Sequence, residues 1–173
     1  MPDRTPTATT NLDRYGYDVL PWSRPRDLLV DGPAQPGTTF FLATTGPDGR
    51  PHSAGVGVYW HDGDLYFTSG PDTRKARNLA ANPASAISIA LNGLDLVLEG
   101  EATRVDDPDL VETVIARFRE GGWPAEVEDG RIVGPYSAPT AGPPPWYLYR
   151  FTFHTAFGVA TAEPYGGTRW RFE

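Results

Sequence analysis

Short β-rich segments separated by tight-turn residues are the feature that most limits what this chain can fold into. The run 38–45 ends at Gly46-Pro47-Asp48-Gly49, the run 52–60 ends at His61-Asp62-Gly63-Asp64, and 65–69 is a third. Proline and glycine at those junctions preset the dihedrals a reversal needs. Connections this short make neighbours in sequence antiparallel neighbours in space, so the three runs read as a meander. Two longer runs, 84–91 and 95–105, meet at Asn92-Gly93, and 147–153 and 168–172 supply the last β-rich stretches. About six mostly sequential strands with few helices predict a mainly β (α+β) fold, an antiparallel six-stranded barrel flanked by helices.

The helical signals are sparse and local. Residues 1–35 are rich in proline and polar residues and read as an N-terminal arm. Its amphipathic patch 22–30 suggests a short helix that starts at Ser23, holds Pro25 in its first turn and stops at Gly32 and Pro33. Asp72 or Thr73 can cap a second helix over 74–82, where Ala76, Leu79 and Ala80 fall at helical spacing and Asn82-Pro83 ends the element. Asp107 caps a third with Pro108 in its first position; Leu110, Val114 and Phe118 form its apolar stripe, and Gly121-Gly122 closes it. Residues 137–146 are proline-rich and read as a stiff loop laid over the core. The domain reading is an arm, 1–35, followed by one barrel domain, 36–173.

Composition removes several classes of function. The chain has no cysteine, so disulfides, thiolate catalysis and cysteine-bound metal centres are excluded. His52, His61 and His154 are widely separated and form no metal-binding pair, so no metal site is expected. No G-x-S-x-G elbow is present. There is no run of eighteen apolar residues and no apolar leader, which gives an expectation of a cytoplasmic protein that crosses no membrane. A net charge of −7, from 22 acidic and 15 basic residues, argues against nucleic acid as a partner. Within that acidic chain Arg74, Lys75 and Arg77 lie inside four positions, which suggests a specific anion site.

The segment 50–83 gathers what such a site needs. A helix opening near Arg74 offers unpaired N–H groups and the positive end of its dipole. Hydroxyls at Thr68, Ser69 and Thr73 surround that end. Rigid directional donors plus cations suit a phosphate. The preceding strand carries Gly55 and Gly57, where a flat ring can approach the backbone closely.

These residues resemble a known family. Thr73-Arg74-Lys75-Ala76-Arg77-Asn78-Leu79-Ala80-Ala81-Asn82-Pro83 is similar to the phosphate-binding helix of the pyridoxamine-phosphate-oxidase-like flavin and deazaflavin oxidoreductases. Phe41-Leu42-Ala43-Thr44-Thr45-Gly46-Pro47-Asp48-Gly49-Arg50-Pro51-His52 resembles their first hairpin, and Asp64-Leu65-Tyr66-Phe67-Thr68-Ser69 and Glu99-Gly100-Glu101-Ala102 resemble later strands. The likeness runs from about 36 to 173. Gly122-Trp123-Pro124 and Thr168-Arg169-Trp170-Arg171-Phe172 look like an actinobacterial branch. The resemblance implies an FMN-binding type of split β-barrel, a homodimer with the coenzyme (F420 or FMN) at the subunit interface, and a small-molecule substrate.

It further implies that Arg74 and Lys75 contact the coenzyme phosphate, with Thr68 and Ser69 nearby. It places His52, Ser53, Ala54, Gly55, Val56 and Gly57 along the ring, and includes Arg77 and Asn78 in the motif. Asn78 is open to a second role, a hydrogen bond that ties the backbone. Trp146 and Tyr147 are candidates for the rim of a substrate pocket; no residue is assigned to catalysis. The chain lacks the Arg-x-His motif and the strand arginine of the vitamin B6 oxidases. Two function classes follow: an oxidoreductase that moves a hydride between coenzyme and a small conjugated organic acceptor, and a non-catalytic protein that stores or senses a flavin or haem-like ligand.

Overall fold

Each turn read from the sequence returns the chain antiparallel on itself. The computed structural model describes residues 4–31 and 38–173. In chain order the elements are β1 (Ala8–Asn11), α1 (Ser23–Val30), β2 (Phe40–Thr45), β3 (Pro51–Val56), β4 (Val58–His61), β5 (Asp64–Ser69), α2 (Arg74–Ala81), β6 (Ala84–Leu91), β7 (Leu94–Arg104), α3 (Pro108–Glu120), β8 (Glu126–Glu128), β9 (Arg131–Val133), β10 (Tyr147–Ala160) and β11 (Gly167–Arg171). Nine strands form one sheet in the order β1-β11-β10-β7-β6-β2-β3, with β5 pairing the first half of β10 and β4 pairing β5. Every pairing is antiparallel. The fold is the antiparallel split barrel with a few flanking helices that was expected.

Three features differ from the expected elements. The arm is more than a helix: its residues 8–11 add β1 to the sheet by pairing with β11, Ala8 opposite Arg171 and Asn11 opposite Thr168. The run 52–60 is not one strand. It divides at Gly57, so that β3 stays on β2 while β4 crosses to β5. A hairpin, β8 with β9, turns through Asp129 and Gly130, both at positive φ. The first two each add one strand to the main sheet, and the hairpin adds two outside it. Helix α1 has Trp22 at its N-cap position with no side-chain cap, so the Ser23 hydroxyl does not start it. Gly32 and Pro33 lie outside the described residues.

The alternation on β7 shows why the barrel closes. Leu94, Leu96, Leu98, Gly100 and Ala102 point inward, and the residues between them point out. Inward residues of β2, β5, β6 and β10 complete one core with Leu42, Phe67, Ile87, Phe151 and Phe153. At Gly100 a Cβ would lie 2.1 Å from the carbonyl oxygen of Thr152, so only glycine lets β7 approach β10 beside the bulge at 153–155. Helix α3 builds a second core outside the barrel, where Val111, Val114, Ile115 and Phe118 pack with Tyr66, Trp146 and Leu148. Asp107 caps α3 by accepting the Asp109 N–H at 3.0 Å. Its C-terminus closes with Trp123 N–H to Phe118 O and Gly122 N–H to Arg119 O.

Candidate functional site

Helix α2 seals one end of the barrel, and its amino end stays open. Ala76 and Leu79 enter the main core, which fixes the helix orientation. Thr73 is the N-cap, in extended conformation, and its Oγ1 accepts the Ala76 N–H at 3.3 Å. Ser69 Oγ lies 2.7 Å from that same Oγ1, and both hydroxyls reach the carbonyl of Gly70. Ser69 and Thr73 thus lock the turn that joins β5 to α2. Gly70 lets the proline-rich loop close on this turn, since a Cβ there would sit 2.1 Å from the carbonyl oxygen of Ala141.

This locking leaves donors free. The Arg77 N–H is bound to the Thr73 carbonyl. Among the described residues, the amides of Arg74 and Lys75 meet no protein acceptor. No acidic residue lies in the first turn. Among the described residues Arg74, Lys75 and Arg77 form no ion pair, whereas Arg50, Arg104, Arg117, Arg119 and Arg131 each face a carboxylate. Lys75 is half-buried, and desolvation pushes its ammonium below the usual lysine range. Three cations left unneutralised at the positive end of a helix dipole are an unfavourable arrangement for the protein alone.

Strand β3 supplies the opposite wall. It pairs with β2 only, so the backbone groups of its other edge are unpaired in the sheet. His52 stands opposite Thr44. Burial, and then the cations Arg74 and Lys75, hold its imidazole below the ordinary histidine range. The structure therefore brings His52, Arg74 and Lys75 into one electrostatic neighbourhood, although they are far apart in sequence. Ser53, Gly55 and Gly57 are exposed, and Ala54 and Val56 are half-buried. Thr68 is half-buried, Ser69 is buried in the turn, and Arg77 is exposed.

Asn78 has a structural bond, to a side-chain hydroxyl rather than to the backbone that was the alternative reading. It is 4% exposed, and its Nδ2 donates to Thr44 Oγ1 at 3.0 Å, tying α2 to β2 behind the cations. Trp146 is not on a rim: it is buried in the second core, with Nε1 donating to the Gly142 carbonyl. Tyr147 is half-buried and stands opposite Ser69. Its ring lies 3.9 Å beneath the Arg104 guanidinium, a contact with no signal in the sequence because 43 positions separate the pair.

Strand β3 and the amino end of α2, joined by the action of Arg74 and Lys75 on His52, thus offer two free helix amides, a group of cations and an open strand edge. That donor set fits a flat heteroaromatic ring carrying a phosphate.

Comparison with known proteins gives a consistent family signal. A family model described as pyridoxamine 5'-phosphate oxidase matches residues 34–139. A pyridoxine/pyridoxamine 5'-phosphate oxidase of Bacteroides thetaiotaomicron is 29% identical over 123 residues, which is 69% of this chain and 55% of that protein. The chain therefore spans about half the length of that curated relative. Among solved structures, an F420 reductase is 24% identical with a TM-score of 0.53, covering 83% of this chain and 98% of that one. An FMN-binding, pyridoxamine 5'-phosphate oxidase-related protein of Nostoc punctiforme is 19% identical with a TM-score of 0.58, covering 88% and 91%. No helix among the described residues is long and apolar enough to cross a membrane.

Proposed function

Because the chain belongs to the pyridoxamine 5'-phosphate oxidase family, we propose that it is an oxidoreductase holding FMN or F420 against the amino end of α2 and the open edge of β3, in the actinobacterial branch of that family. The observation that carries this reading is the unneutralised pair Arg74 and Lys75 at the open end of α2, close enough to His52 on an edge strand to lower its pKa, with Arg77 one turn further on. When bound, the coenzyme supplies hydride transfer to or from a small conjugated acceptor.

The chain's own residues then have separate duties. Arg74, Lys75 and the two free amides grip the phosphate. The open edge of β3, with Gly55 and Gly57, aligns the ring and offers main-chain donors to its polar rim. Ser69, Thr73 and Asn78 hold the gripping helix in place. Catalysis on this plan rests on proximity and orientation, with no nucleophile from the protein. The outward face of β2, β6 and β7 carries Phe41 at 47% exposure together with Val97, around a groove of about 470 Å³. Exposed apolar surface of this kind supports a homodimer formed through that face.

Parallel titration with FMN, F420 and riboflavin tests the reading. FMN or F420 is expected to bind at one equivalent per chain, and riboflavin, which lacks the phosphate, at least about tenfold more weakly. Equal affinity for FMN and riboflavin refutes the phosphate grip. A bound coenzyme that no conjugated acceptor reoxidises faster than oxygen does would make the protein a carrier rather than an enzyme.

A further inference from the structure

Gly70 is a glycine with no conformational reason to be one. Its φ is not positive, so its backbone sits where residues with a side chain also sit. What excludes a side chain is the proline-rich loop. A Cβ on Gly70 would lie 2.1 Å from the carbonyl oxygen of Ala141 and 3.2 Å from its carbonyl carbon. Both are backbone atoms, which cannot swing aside as the tip of a side chain can. Covering a core does not call for main chain pressed on main chain, so this contact asks for another reason.

Register brings the two segments together. Strand β5 ends at Ser69, opposite Tyr147, where β10 begins. The turn 70–73 and the loop 137–146 therefore leave the sheet side by side.

The loop is anchored away from the barrel. Trp146 is 2% exposed in the second core. Its backbone exchanges hydrogen bonds of 2.7 and 2.9 Å with Ile132, and its ring lies 5.7 Å from that of Trp123. From there Nε1 reaches back to the Gly142 carbonyl at 3.1 Å. The Ala141 N–H donates to the Ala138 carbonyl at 2.9 Å, and the Ala141 side chain packs on the second core. Pro139, Pro143, Pro144 and Pro145 hold φ fixed through the segment. The Ala141 carbonyl is thus held in place by α3 and its partners rather than by the barrel.

The turn passes this position on to the helix. The Gly70 carbonyl accepts from Ser69 Oγ at 3.1 Å, from Thr73 Oγ1 at 3.0 Å and from the Thr73 N–H at 3.4 Å. Thr73 in turn caps α2 through the Ala76 N–H. A shift of Gly70 moves Thr73, and with it the direction in which the free amides of Arg74 and Lys75 point.

We propose that the loop 137–146 is a strap through which the second core positions the phosphate-gripping end of α2, with Trp146 as its anchor and Ala141 bearing on Gly70. The three are positioning residues that act through Thr73. This rests on the coenzyme reading given above, and adds that the grip on phosphate is set from outside the barrel. Hydrogen bonds are directional, so a displaced helix end loses phosphate contacts first, while the ring along β3 is spared.

Two variants and matched ligands with and without phosphate test it. The pairs are FMN with riboflavin, and F420 with its deazaflavin head lacking the phosphate. Gly70→Ala forces loop and turn apart. It is expected to bind the phosphorylated member about tenfold more weakly, roughly the loss of one charge-assisted hydrogen bond, and the phosphate-free member within about twofold of wild type. Trp146→Phe keeps an aromatic ring in the second core and removes the Nε1 donor to Gly142. It is expected to lose about threefold in the same selective way, and it decides the matter if Gly70→Ala does not fold. A loop that merely held the fold would lower the melting temperature and weaken both members alike, and that result overturns the strap. A preference for phosphate kept in full by the variants also overturns it, while leaving the phosphate grip standing. Wild-type protein with no preference for the phosphorylated member removes grip and strap together.

Discussion

Replacing Arg74 and Lys75 by alanine should weaken coenzyme binding while stabilising the empty protein. The two effects have one cause. Lys75 is half-buried without an ion pair among the described residues, and its ammonium is pushed down by desolvation. A charge-assisted contact from such a group to phosphate is worth about 1.5–3 kcal/mol, or roughly 10- to 150-fold in Kd. Arg74 is exposed, so water and salt screen it to about 0.2–1 kcal/mol, at most roughly fivefold. Both act on one anion, so their effects will not simply add. The double variant should bind FMN about 20- to 200-fold more weakly, measured by flavin fluorescence titration at fixed ionic strength.

The empty protein should move the other way. Cations in the first turn of a helix oppose its dipole by about 0.3–1 kcal/mol each. Removing two of them breaks no ion pair among the described residues. For a chain of this size the gain corresponds to a rise of about 1–8 °C in the melting temperature without ligand. Arg50, exposed and facing Asp48, is the control: its alanine variant should change neither quantity appreciably. Two results would refute the reasoning. One is an unchanged affinity for FMN. The other is a fall in the melting temperature of the empty double variant, which would mean that the cations hold the fold rather than a ligand.

Two further outcomes follow from the same corner. Asn78→Ala leaves the buried Thr44 hydroxyl without its partner and should cost about 1–3 kcal/mol in urea unfolding, whereas Thr44→Val/Asn78→Leu, which removes both polar groups, should cost less; equal losses would deny the tie. His52 has a depressed pKa in the folded state, so its contribution to stability is present above its ordinary value of 6.5 and is lost as pH falls from there through the folded value. A bound phosphate offsets Arg74 and Lys75 and lets His52 rise, so calorimetry in buffers of different ionisation enthalpy should show the wild type taking up more protons on FMN binding than His52→Gln, and equal uptake would contradict the coupling.

The legible parts of this fold were those set by neighbours in sequence. Gly46-Pro47-Asp48-Gly49 and Asn92-Gly93 fix their turns by local dihedrals, and β2, β6 and β7 follow from them. Thr73 and Asp107 announce their helices because a cap bonds to amides two or three residues on. The strand β1 had no such signal, since its partner β11 lies some 160 residues away and the arm's composition resembles a linker. Nor did the run 52–60 disclose its division, because a glycine inside a strand pattern marks a bulge, a close approach or a break equally well. Arg104 over Tyr147 and Asn78 on Thr44 are contacts made by the barrel's closure, which no local pattern encodes.

The division at Gly57 is what joins the two kinds of information. Had 52–60 stayed one strand on β2, β5 would have lacked its partner β4. β3 ends the sheet and keeps an unpaired edge, while the division lets β4 carry β5 and the turn after it, locked by Ser69 and Thr73, from which α2 starts with its first amides free. An acidic chain gains nothing in stability by leaving three cations there without carboxylates, when eight of its other arginines have them. A charge arrangement that costs stability, set beside an unpaired backbone edge, is explained by an anionic ligand that satisfies both.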